Sequence, residues 1–233
     1  MSVTSALILR GRREGRIEPR LDALREALAA LGNPQASFRS VLVVGTNGKG
    51  STAGMLDAIL RAHGVVTGLY TSPHLVAVEE RIRCAGTEVS ERELTEHLRR
   101  LASFPELTYF EALTAAAFSV FAAARVEVAV LEAGMGGSWD ATRLAESEIA
   151  GLTNVGSDHQ RWLGSTREDR ARDKGRALQA AAWAVLGSGV DREAAAVIEA
   201  PHARFADRMV EVGSTADECL TMRFGGVDIA VRL

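Results

Sequence analysis

Apolar positions along the chain follow two alternating rhythms. Leu21, Leu24, Leu28 and Leu31 recur at helical spacing within 18–32, Gly32 supplies a stop, and Asn33-Pro34-Gln35 reads as a turn. Val41 to Val44 is an unbroken apolar run, the pattern of a buried strand. The helical period returns at Met55, Leu56, Ile59 and Leu60 and ends near His63-Gly64. The same reading predicts strands at 65–71, 126–132, 148–154 and 182–186, and helices at 90–103, 110–124 and 166–179, the last of them polar. Strands alternating with helices predict an α/β fold, a mainly parallel sheet with helices on both faces. The end of the chain differs. Val227, Ile229, Val231 and Leu233 alternate with Asp228, Ala230 and Arg232 at period 2. That predicts a final edge strand, or a strand cut short by truncation, within a small β region over about 205–233. No internal repeat or low-complexity linker interrupts the pattern.

Length and charge narrow the classes. A chain of 233 residues fits one large domain. Hydrophobic residues at 47% and charged residues at 24% argue against wholesale disorder. Thirty acidic and 27 basic residues leave a formal charge of −3, which gives no support to a nucleic-acid binder held by net positive charge. No apolar run approaches the ~20 residues of a membrane span, and the first residues lack a signal-peptide pattern. Cys84 and Cys219 stand alone without metal spacing, as expected of a reducing cytoplasm.

One bias is informative. Only Lys49 and Lys174 among the 27 basic residues are Lys; the rest are Arg. Where a generic cation serves, this chain uses Arg, so each lysine marks a place where a compact, modifiable amine is wanted. Asn is equally scarce, at Asn33, Asn47 and Asn154.

Lys49 lies in Gly45-Thr46-Asn47-Gly48-Lys49-Gly50-Ser51-Thr52, between the predicted strand ending at Val44 and the helix that follows. Strand, glycine loop with one lysine, then helix is an anion-binding arrangement. Glycines let backbone N–H groups face phosphate, and the helix N-terminus adds partial positive charge. The common G-x-x-x-x-G-K-[ST] spacing is not met, because Val43 and Gly50 hold the first glycine and the hydroxyl positions.

VGTNGKGST resembles the ATP loop of the Mur ligase superfamily. Its Lys-Gly-Ser ending resembles the folylpolyglutamate synthase and dihydrofolate synthase branch. Further matching segments follow in family order: LGNPQ at 31–35, TSPHL at 71–75, ERIR at 80–83, TYFEALTAAAF at 108–118, LEAGMGGSWDAT at 131–142, TNVGSDHQRWLG at 153–164 and Asp173-Lys174. The resemblance covers about 17–175.

It implies an α/β P-loop domain like the Mur ligase central domain. The implied activity is a cytoplasmic ATP- and Mg²⁺-dependent ligase. It joins dihydropteroate or a reduced folate to L-glutamate through an acyl phosphate. Thr46, Asn47, Gly48, Lys49, Gly50 and Ser51 would hold ATP, and Ser72, Glu132 and His159 match the family's Mg²⁺ positions. Lys174 matches the lysine that the family carbamylates to N6-carboxylysine, a modification that Arg does not undergo this way. For the pterin, the resemblance points to Thr108, Tyr109, Phe110 and Glu111, and to Trp139, Asp140 and Ala141. Capping of a helix by Thr108 and core packing by Phe110 are the structural alternatives there. His74, beside Ser72, could also face the site.

The chain departs from the family pattern at four places. Ser138 and Trp139 stand where Arg and Leu are usual, Arg143 replaces Asn, Ser157 replaces an apolar residue, and Gly-Arg-Ala follows Lys174 in place of Ala-Gly-Ile. Nothing in 176–233 matches the C-terminal Rossmann-like domain of the family. The expected organisation is therefore one Mur-type ATP-binding domain over 1–233, with a divergent, truncated part from 176. A non-catalytic ATP- or folate-binding remnant, half of a split ligase completed by a second chain, and another Mur-type amino-acid ligase are the alternatives. A monomer is expected otherwise, with no nucleic-acid or membrane partner.

Overall fold

The computed structural model describes residues 20–157, 163–198 and 200, positions 9 and 12, and strands at 203–205, 213–215, 219–224 and 227–232. An eight-stranded sheet organises the chain. Its strands are β1 (Arg39–Val44), β2 (Thr67–Tyr70), β3 (Ile82–Cys84), β4 (Thr87–Glu88), β5 (Val128–Glu132), β6 (Ile149–Asn154), β7 (Trp183–Gly189) and β8 (Ala203–Phe205). Their spatial order is β4-β3-β2-β5-β1-β6-β7-β8. From β2 to β8 all neighbours are parallel, and β3 and β4 add an antiparallel hairpin at one edge. A separate antiparallel sheet holds β9 (Gly213–Thr215), β10 (Cys219–Phe224) and β11 (Val227–Arg232) in the order β11-β10-β9. The alternation at the chain's end thus forms an edge strand, but of its own small sheet.

The helices are α1 (Asp22–Ala30), α2 (Lys49–Ala62), α3 (Glu91–Arg99), α4 (Tyr109–Ala123), α5 (Arg167–Gln179) and α6 (Arg192–Ala196). Short 3₁₀ turns at Pro34–Ser37, Val78–Arg81 and Ala141–Ala145 complete the connections.

α4 is the central helix. Its sequence, YFEALTAAAFSVFAA, is apolar nearly all round, and twelve of its residues are buried, as expected of a helix covered on every side. Thr108 and Glu111 close its N-terminus as a capping box. The Thr108 N–H donates to Glu111 Oε2 at 2.8 Å, and the Glu111 N–H donates to Thr108 Oγ1 at 3.2 Å. Phe118 and Phe121 meet Phe38 edge-on, each with ring centroids 5.9 Å apart.

The sheet's two faces are covered unequally. Leu42 and Val44 of β1, Leu131 of β5, Leu152 of β6 and Leu186 of β7 belong to the main core beneath α4 and α5. On the opposite face, Val43, Leu69 and Val130 pack under α2. That cover stops at β1. Ile149, Trp183 and Val185 on the same face of β6 and β7 are 36%, 69% and 40% exposed. Helices lie on both faces as the sequence predicts, but among the described residues none covers this half.

Candidate functional site

The site grows from the strand order. β1 leads through α2 toward β2, whereas its neighbour β6 leads through α5 toward β7, on the other side. Adjacent strands whose connections diverge open a crevice at their C-terminal ends, where ligands bind in open α/β sheets. The loop 45–48 lies there. Gly45 has φ 150° and Gly48 φ 76°, backbone that glycine adopts without strain. Gly48 is the N-cap of α2 and has no side chain with which to cap it. The helix start carries partial positive charge, which favours an anion beside it; Glu132 already lies close to Gly50 there.

Both lysines of the chain reach this loop. Lys49 Nζ donates to the Thr46 carbonyl at 3.1 Å, and Lys174 Nζ donates to the Gly45 carbonyl at 3.2 Å. Lys174 is 1% exposed, so it is not the surface helix lysine that its acidic neighbours would allow. Thr46 is buried, Lys49 and Gly50 are half-buried, and Asn47, Gly48 and Ser51 are exposed.

Glu132 ends β5, in register with Val43 of β1. Its Oε2 accepts the Ser72 N–H at 2.8 Å, and the Gly50 N–H also donates to this carboxylate. Burial pushes the Glu132 carboxyl up; the Ser72 N–H, the charge of Lys49 and the Gly50 N–H oppose that shift. Lys49, Gly50, Ser72 and Glu132 thus form one cluster. His159, the third expected metal position, lies outside the described residues.

The second group of expected residues lies where α4 begins, facing the loop after β5. The Phe110 ring is tilted against Tyr70, centroids 5.8 Å apart. A Cβ on Gly134 would come within 2.7 Å of that ring. Tyr109 is buried, with the Arg81 guanidinium 5.4 Å from its ring centroid. Thr108 and Glu111 use their polar atoms in the capping box. Asp140 is buried and closes the 134–140 loop on itself, accepting from the Met135 N–H at 2.9 Å and from the Thr142 N–H and hydroxyl at 3.0 and 2.5 Å. Burial raises its carboxyl, and those hydrogen bonds act against the shift. Ala141 is buried; Trp139 is half-buried, and its indole N–H has no hydrogen-bond partner among the described residues. His74 accepts from Arg81 Nε at 2.9 Å, which ties it to the buried arginine.

Three of the departures from the family pattern, Ser138, Arg143 and Arg176, converge. Ser138 donates to Asp173 Oδ1, Arg143 donates to the Ser138 carbonyl, and Arg176 donates to Ser138 Oγ. Asp173 Oδ2 also accepts the Gly137 N–H at 2.9 Å. These substituted positions thus share hydrogen bonds. Sequence reasoning missed Asp173 as the anchor of this loop, and it missed Thr153 and Asn154. Those two bond the 45–48 loop from the end of β6. The scarcity of Asn was the signal for the last of them.

The Mur ligase middle domain pattern matches residues 43–180, spanning this site from the end of β1 into helix α5. The chain belongs to the Mur ligase middle-domain family. Among its relatives is the probable bifunctional folylpolyglutamate synthase/dihydropteroate synthase of Haloferax volcanii, 41% identical over 194 residues, covering 80% of this chain and 23% of that protein. Among solved structures, the apo form of L. casei FPGS superposes with a TM-score of 0.85 at 30% identity, covering 99% of this chain and 61% of that one. E. coli FolC in complex with DHPP and ADP gives a TM-score of 0.81 at 30% identity, over 98% of this chain and 57% of that one. The chain thus spans about a quarter of the first relative and about three-fifths of the solved chains.

Proposed function

We propose that the chain forms the nucleotide- and acceptor-binding part of an ATP-dependent acid–amino acid ligase. It would join the carboxylate of dihydropteroate or a reduced folate to the amine of L-glutamate. One observation carries the reading: a glycine-capped helix start with Lys49 stands at the sheet's diverging strands, beside a buried carboxylate, Glu132. The similar E. coli FolC, in complex with DHPP and ADP, supports it.

In this reading Thr46 to Ser51 bind the phosphates of ATP. The acceptor carboxylate oxygen attacks the γ-phosphorus, the bond to ADP breaks, and an acyl phosphate forms. The glutamate amine then attacks the acyl carbon, phosphate leaves, and the amine gives up a proton. Charge accumulates at the γ-phosphate in the first step, so Lys49 and the α2 N–H groups stabilise it.

Mg²⁺ fits the donors present. Glu132 and Ser72 supply hard oxygen atoms from adjacent positions, and a buried carboxylate raised by desolvation gains from a cation beside it. Glu132, Ser72 and His159 would hold the ion, which would neutralise phosphate charge. Lys174, with its amine at the Gly45 carbonyl, is the proposed site of carbamylation. Phe110, Tyr109 and the 139–141 segment would form the pterin side, with Thr108 and Glu111 shaping the helix end. A cytoplasmic setting suits these substrates, and no helix among the described residues is long and apolar enough to cross a membrane.

The test is titration of the purified chain with ATP, with and without Mg²⁺. It is paired with incorporation of labelled glutamate into dihydropteroate or tetrahydrofolate in bicarbonate buffer. Mg²⁺-dependent ATP binding is the expected result. No nucleotide binding under any condition would overturn the reading.

A further inference from the structure

We infer that Thr153 and Asn154, the last two residues of β6, are positioning residues that fix the orientation of peptide groups in the nucleotide loop. The inference rests on the nucleotide-binding reading above. Asn154 Oδ1 accepts the Asn47 N–H at 3.0 Å and the Thr46 N–H at 3.3 Å. Its Nδ2 donates to the Asn47 carbonyl at 2.9 Å, and Thr153 Oγ1 donates to the same oxygen at 2.7 Å. One amide side chain thus grips both the N–H and the C=O of Asn47. A carboxamide offers an acceptor and a donor together on one short side chain; a carboxylate lacks the donor.

The arrangement decides which charge the loop shows to a phosphate chain. The carbonyl oxygens of residues 45, 46 and 47 are the negative ends of three successive peptide dipoles. Lys174 occupies the first, Lys49 the second, and Thr153 with Asn154 the third. A free carbonyl facing phosphate would repel it in a site of low dielectric. With all three held by donors of the chain, that repulsion is reduced, and the start of α2 with Lys49 is what meets the anion. Thr153 also sets the residue allowed at position 45, because a Cβ there would collide with its hydroxyl. The grip continues beyond β6, where the Gly156 N–H donates to Thr46 Oγ1 at 2.8 Å. Both residues come from a different strand than the loop, so they act on nucleotide by holding it in place.

The experiment compares ATP, ADP and AMP binding to the purified chain by calorimetry, in Mg²⁺. It uses Asn154→Ala, Asn154→Asp, Thr153→Val and Thr153→Ser. Asn154→Ala should weaken ATP and ADP roughly 10-fold and Thr153→Val roughly 5-fold, while AMP binding and melting temperature stay near the parent values. Thr153→Ser should match the parent, and Asn154→Asp should not rescue, because it cannot donate to Asn47. Amide exchange at Thr46 and Asn47 should quicken in nucleotide-free Asn154→Ala, with β1 still protected. If the parent binds ATP and both Asn154→Ala and Thr153→Val bind it equally well, the inference fails and the nucleotide reading stands. A parallel loss of ATP, ADP and AMP affinity with a lowered melting temperature would reduce both residues to structural ones and also overturn it. A parent that binds no nucleotide overturns the functional reading and the inference with it.

Discussion

Lys49 and Lys174 show how much a rare residue can carry. In a chain that otherwise uses Arg, both ammonium groups lie on carbonyls of one four-residue loop, one from the start of α2 and one from α5. Their rarity made them legible in the sequence, and the resemblance assigned both to one site; that both touch the same loop was not legible, since 125 positions separate them. Lys49→Ala removes a cation from the helix start, and a charged hydrogen bond contributes about 1.5–3 kcal/mol. ATP affinity should fall at least ten-fold. Lys49→Arg should lose less, since it keeps charge and changes reach. Calorimetry that finds Lys49→Ala equal to the parent would remove Lys49 from the phosphate site. Glu132→Gln tests the neighbouring carboxylate. It keeps the shape and the Ser72 N–H bond but removes the charge, so ATP binding should lose most of its dependence on Mg²⁺. An unchanged Mg²⁺ response would show that Glu132 is no ligand.

The loop after β2 and the loop after β5 are held in different ways, and each has its own test. Glu80 accepts the N–H groups of Leu75, Val76 and Ala77 at 2.9, 2.8 and 2.6 Å. These bonds hold its carboxyl below the ordinary value of 4.5. A carboxyl lowered by folding stabilises its loop above the ordinary value, and that stabilisation is lost as pH falls through the lowered one. The amide proton shifts of residues 75–77 should therefore titrate together with a midpoint below 4.5 and be insensitive to pH above it. Independent midpoints, or one above 4.5, would contradict the three-way grip. The 136–138 segment lies directly on α5. A Cβ on Gly137 would come within 2.5 Å of the Asp173 carbonyl oxygen and 2.9 Å of Lys174 Cα. Gly137→Ala should cost about 1–3 kcal/mol in chemical denaturation through overpacking; an unchanged midpoint would show that the segment moves aside freely. Elements with a long period were legible. The predicted 166–179 helix is observed at Arg167–Gln179, and the 148–154 strand at Ile149–Asn154. The β3–β4 hairpin was missed because strands of three and two residues leave no measurable alternation. The predicted 90–103 helix ends early at Arg99, since Leu101 is buried in the turn that follows rather than on a further helical turn. The clamp on Asn47 was invisible for another reason: hydrogen bonds across more than a hundred residues leave no local pattern.

The molecule as a whole is held by the layer between the sheet and α4. Phe118 is fully buried there, edge-on to Phe38. Phe118→Ala should cost about 3–5 kcal/mol and shift the urea midpoint. A loss below about 1 kcal/mol would place the core elsewhere. Among the described residues the opposite layer is incomplete beyond β1, and that has a practical consequence. Trp183 projects from the half of the sheet that no described helix covers, at 69% exposure beside Ile149, whereas Trp139, the other tryptophan among the described residues, is half-buried. Its indole is therefore a built-in optical probe. Trp183→Phe should remove a red-shifted component of the emission that iodide quenches. Any polypeptide surface that settles over β6 and β7 will register as a blue shift and loss of quenching, with no label attached to the protein.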